Sequence, residues 1–222
     1  MIKNVNKKLQ EYINMYIIPQ YADFDLGHNT EHVLKVIENS FNVLEHIISS
    51  NIISKEEAEQ INIDMVYTIA AYHDIAMPMG RKNHHINSGR ILKADDELWN
   101  FFEKEELDIM RDAIEDHRAS NPTEPRTIYG KIISEADRDI DPISVFRRAF
   151  LFNDKTNNNN NETFDFMFNR AINHIQEKYG EHGYIKLWLN YPVNTSGLNE
   201  LRRLLNTPEE AKELCKRFYS EE

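Results

Sequence analysis

Within "AAYHDIAMPMG", residues 70 to 80, His73 and Asp74 stand side by side at the end of a strongly apolar run. The apolar register Met65, Val66, Ile69, Ala70 continues onto both of them, so both point toward the core. An ionised carboxylate in that position is costly unless a cation or strong donors compensate it. Alone, the pair reads equally as a capped helix end or a satisfied core histidine. Three other segments repeat the pattern. In "DLGHNTEHVLKVIENS", His32 lies beside Val33 and Val36 at the edge of an apolar face, and His28 precedes it by four residues as a turn histidine or a site residue. Leu107, Met110, Ala113 and Ile114 lead in register to His117, and Ile133 leads to Asp137. Four helices thus each deliver a His or Asp where the apolar stripe ends. Convergence on one metal centre explains them jointly, and mixed nitrogen and oxygen ligands suit Mn, Fe, Co, Ni or Zn better than Mg.

The elements that must position these residues are helical. Only seven glycines and seven prolines punctuate 222 residues, and apolar residues recur at three- and four-residue spacing. The pattern predicts an all-α fold of about eight to ten helices and no sheet. Helices are expected over 3–18 (Val5, Leu9, Tyr12, Ile13, Tyr16 and Ile17 inward, ended by Pro19), 30–50, 61–76, 84–94, 104–118, 126–138, 143–152 and 162–179. "SKEE" at 54–57 reads as a capping box opening a short helix, and "TPEE" at 207–210 opens the last helix, with Thr207 as N-cap. "NYPVNTSG" reads as irregular, and the Asn-rich tract 153–162 as a flexible surface insertion.

A formal charge of −11 opposes binding to nucleic acid polymers. The single cysteine, Cys215, offers no thiolate cluster and fits a reducing cytoplasm. No run approaches the roughly 20 apolar residues that span a bilayer, so the expectation is a soluble cytoplasmic protein with no membrane partner.

The order His, His-Asp and a distant Asp, all on helices, resembles the HD superfamily of metal-dependent phosphohydrolases over about residues 25 to 150. The blocks that carry the resemblance are "HNTEHVLKV", "AAYHDIA", "HHINSGRIL", "AIEDHRAS" and "IISEADR". It implies one HD-type domain over 1–222, with C-terminal helices over 163–222. It also implies that His32, His73, Asp74 and Asp137 hold a first divalent ion. His85 and His117 would complete a second site, Asp74 would bridge, and His84 would be a surface or supporting residue. The family continues past "ADR" with Leu-Asp, whereas this chain has Asp139 and Ile140.

The activity implied is hydrolysis of a phosphomonoester or phosphodiester in a small nucleotide-like or other phosphorylated metabolite. Asp74, His85, His117 and Arg138 are the expected catalytic residues, and Arg118, Arg138 and Lys82 are candidates to hold phosphate oxygens, with solvated surface charge as the bland alternative for each. Two alternatives share the ligand set: a di-iron oxygenase and a non-catalytic metal-binding module. "HDIAMP" lacks the alarmone-hydrolase pattern, and no Gly-Tyr-Pro signature of cyclic-dinucleotide esterases occurs.

Overall fold

The computed structural model describes residues 4–24, 27–152 and 163–220. Among these the protein is all-α, with eleven α-helices and no strand. The expected insertion at 153–162 lies outside the described residues. The chain divides into two compact units, Met1–Arg138 and Asp139–Glu222; no composition shift marks that boundary in the sequence.

The first unit is arranged around α4 (Ile63–Tyr72), which packs against α2 (Thr30–Ser49), α5 (His84–Lys93), α6 (Lys104–Asp116) and α7 (Ile128–Ala136). Every residue of α4 from Met65 to Tyr72 is buried, as expected of a helix apolar on all sides. α3 (Lys55–Gln60) begins in the predicted capping box: Ser54 accepts from the Glu57 N–H while the Glu57 carboxylate accepts from the Ser54 N–H.

Two helices differ from expectation at prolines. α4 ends at Tyr72 rather than 76, and His73 is its C-cap residue. Pro78 has no N–H to bond the Asp74 carbonyl four residues back, so that carbonyl accepts from Met77 in a tighter turn. His73 and Asp74 therefore sit at a helix exit, not within a helix. At the N-terminus, α1 (Lys7–Tyr12) widens into a π-helical turn over Ile13–Ile17, then tightens into a 3-10 turn over Ile18–Tyr21 that contains Pro19. The widened turn shifts the register, so Ile13, Ile17 and Ile18 are buried while Tyr16 faces outward.

The second unit comprises α8 (Pro142–Leu151), α9 (Phe164–Tyr179), α10 (Pro192–Leu205) and α11 (Pro208–Ser220), closed around Phe146, Phe150, Ile175, Leu201, Ala211 and Cys215. The stretch expected to be irregular starts α10. Asn190 turns the chain with φ 51, and Pro192 lies in the first turn, where its missing N–H is no loss. Thr207 does not cap α11 with its side chain; its hydroxyl donates back to the Arg203 carbonyl at 2.9 Å.

Candidate metal centre

His32 is placed by the start of α2, where the Asn29 side chain accepts from the His32 N–H at 3.1 Å. His73 and Asp74 are held by the exit of α4. The preceding residues are anchored by tyrosines: Tyr21 donates to the Ala71 carbonyl at 2.9 Å, and Tyr72 donates to Asp95 at 2.5 Å, a carboxylate that also accepts from Tyr12. These anchors lie far apart in sequence and leave no local pattern, so sequence reasoning missed them. His117 and Asp137 are the C-cap residues of α6 and α7.

The side chains meet in two sets that share Asp74. In the first, one ligand atom each from His32, His73, Asp74 and Asp137 lies within 4.8 Å of all the others. His32 Nε2 is 3.2 Å from Asp137 Oδ1, and His73 Nε2 is 3.3 Å from Asp74 Oδ2. In the second, Asp74 Oδ1 stands 3.1 Å from His84 Nε2 and 3.4 Å from His117 Nε2. The two carboxylate oxygens thus face different sets.

His84, not His85, belongs to the second set. α5 begins at His84, and residues 84, 88 and 92 form its buried stripe. The Ser88 hydroxyl accepts from the Ala76 N–H at 3.1 Å, which fixes that stripe against the turn carrying Asp74. His84 and Ser88 at i and i+4 were the available signal. His85 points elsewhere: its Nδ1 is buried without a hydrogen-bond partner. Burial and the neighbouring His117, His84 and Arg118 push its pKa down to about 4.

Hydrogen bonds fix which nitrogen three of these four histidines turn inward. Nδ1 of His73, His84 and His117 lies 2.8, 2.7 and 2.6 Å from the carbonyls of Ala70, Arg81 and Ile114. A carbonyl only accepts, so each Nδ1 carries a proton and each Nε2 is the nitrogen turned inward, where it offers a lone pair once a cation displaces its proton. Those nitrogens converge: His73 Nε2 lies 3.3 Å from His32 Nε2, and His84 Nε2 lies 3.4 Å from His117 Nε2. Asp74 Oδ1, buried between them, has no hydrogen bond. Nitrogens facing nitrogens around an orphaned carboxylate oxygen fit divalent cations, and the donor set is of the kind that transition metals take.

Protons and a cation compete for the same inward-facing atoms. Burial opposes a charged His73, but Asp74 and Asp137 outweigh it and raise its pKa to about 9. Burial likewise opposes the charged carboxylates, yet the facing histidines hold Asp74 and Asp137 well below the usual carboxylate range. The pocket favours the charged acids and attracts positive charge.

The three cations expected to hold phosphate have different surroundings. The Arg138 side chain is buried, donating to the His117 carbonyl at 3.2 Å and to Ser134 Oγ at 2.8 Å, with Nη1 3.7 Å from Asp137 Oδ2. It lies against the His117 backbone and the Asp137 carboxylate. Arg118 donates to the Lys82 carbonyl at 2.7 Å and ties the turn before α5 to the end of α6, while Lys82 itself is exposed.

Helix ends in this all-α unit bring four histidines and Asp137 around one shared carboxylate, Asp74, which defines a helical domain able to hold metal. Residues 31–139 match the family model of the HD domain. That match agrees with the all-α fold and with the His and Asp cluster in placing this segment in the HD-domain superfamily. No curated protein and no solved structure matches the chain. No helix among the described residues is long and apolar enough to cross a membrane.

Proposed function

We propose that the protein is a metal-dependent phosphohydrolase that cleaves a phosphomonoester or phosphodiester bond of a small phosphorylated metabolite, nucleotide-like or otherwise. The observation that carries this is Asp74, with one oxygen turned to each of two ligand sets. His32, His73, Asp74 and Asp137 would hold one divalent ion, and Asp74, His84 and His117 a second. Bound there, such ions supply Lewis acidity: an acidified water and neutralisation of charge on phosphoryl oxygens.

The chain supplies the rest. The backbone carbonyls of Ala70, Arg81 and Ile114 lock three imidazoles in one tautomer and one orientation. The buried faces of α4 and α6 keep bulk water from the back of the centre. Arg138 places its positive charge 3.7 Å from Asp137 Oδ2.

The test is metal analysis of the purified protein with phosphate-release assays on mono- and dinucleotides, run anaerobically with Mn or Co beside Asp74→Ala. The hydrolase reading expects phosphate release without oxygen, abolished in the variant. Substrate-dependent oxygen uptake by an iron-loaded protein, with no phosphate released, would instead establish the di-iron oxygenase. Metal without turnover across a broad phosphate panel would leave a binding module.

A further inference from the structure

The centre is not equally covered on all sides. His73, Asp74, His84 and His117 are almost fully buried and form its back wall. Three side chains make the open side: His28, His32 and Asp137 keep 16, 18 and 20 % of their side-chain surface exposed. These three are the side chains of the cluster that keep the most contact with solvent. Two of them already belong to a ligand set, since His32 Nε2 and Asp137 Oδ1 are among the converging atoms. His28 alone belongs to neither set, although its ring stands edge-on to His32 with centroids 5.9 Å apart.

His28 Nε2 lies 4.0 Å from Asp74 Oδ2. That is beyond hydrogen-bond range, yet close enough that a group bound against this oxygen comes within reach of the imidazole. The position is also electrostatically selective. An anion entering beside the Asp137 carboxylate needs a donor to offset the repulsion, and an imidazole N–H can supply one. His28 precedes the matched segment 31–139.

We propose that His28 is a substrate-contacting residue of this centre, its imidazole donating a hydrogen bond to a phosphoryl oxygen of the ligand that enters over His32 and Asp137. The choice of a phosphoryl ligand rests on the hydrolase reading; the contact itself rests on the open side of the centre. Asn29, next in the chain, caps α2 through its side chain, so the helix start anchors the backbone beside His28.

The full-length protein loaded with Mn is compared as wild type, His28→Ala and His28→Gln, glutamine keeping an N–H near the position of Nε2. Metal content, the affinity for inorganic phosphate by calorimetry, and kcat and KM for phosphate release are measured together. The expected result is unchanged metal content in all three, phosphate affinity about 10-fold weaker in His28→Ala, and partial recovery in His28→Gln. Loss of metal from His28→Ala would make His28 a ligand and overturn the proposal. So would unchanged phosphate affinity, equal losses in both variants, or a wild type that binds no phosphate. A wild type that binds phosphate through His28 but hydrolyses no ester would sink the hydrolase reading and leave this contact standing.

Discussion

His84 Nε2 and His117 Nε2 lie 3.4 Å apart on either side of Asp74 Oδ1, and each ring's other nitrogen is committed to a backbone carbonyl. A cation bound between them would take both Nε2 lone pairs and the Asp74 oxygen at once. His84→Ala is therefore expected to lower the bound metal from two ions per chain toward one, with the first set still filled. His85→Ala should keep both. Metal analysis of the two variants decides the assignment, and the opposite pattern would restore His85 as the ligand.

Arg138 separates scaffold from substrate contact. Arg138→Met leaves the His117 carbonyl and Ser134 Oγ without this buried donor, which should lower stability by roughly 1–3 kcal/mol and weaken metal retention. Urea unfolding with metal analysis checks both. A variant of unchanged stability and metal content that had lost only substrate affinity would return Arg138 to the role of phosphate clamp.

How much of this was legible in the sequence depends on the distance over which each feature is encoded. The convergence of His32, His73, Asp74, His117 and Asp137 was legible because each ends an apolar stripe, a pattern local to one helix. The choice between His84 and His85 failed because adjacent residues differ by only one step around a helix, and the deciding contact, Ser88 with the Ala76 N–H, crosses between segments. The exit of α4 at His73 was misplaced for want of weighing Pro78 against the carbonyl four residues back. The tyrosines on Asp95 and Ala71 could not be read at all, being contacts between distant stretches of chain. α10 was hidden because its first turns are poor in apolar residues and contain Gly197.

Gly197 is there for packing. A Cβ at this position would come within 2.1 Å of the Ile140 carbonyl oxygen. Alanine would gain about 1 kcal/mol of helix propensity, but a clash with backbone cannot be relieved by a rotamer change and forces α10 away from its neighbour. Gly197→Ala is expected to destabilise the protein by roughly 1–3 kcal/mol net, read from the urea midpoint. A more stable variant would show that the contact relaxes freely.

Cys215 gives the second unit its own pH signature. Burial pushes this thiol up to about 12. A group whose native pKa is raised favours the protonated form in the fold, so its contribution is fully present below the unfolded value, about 8.5. It is lost as pH rises from there toward 12. At pH 8 the native thiol should react with a disulfide reagent far more slowly than the unfolded chain. Labelling at equal rates in native and urea-unfolded protein would contradict its burial.

The central claim is that one carboxylate, Asp74, joins two metal pockets. Electron paramagnetic resonance of the protein titrated with Mn(II) tests it most directly. The account predicts uptake of two ions per chain with an exchange-coupled spectrum, and loss of the coupling in Asp74→Ala. Saturation at one ion, or two ions with independent six-line signals unaffected by that substitution, would contradict it.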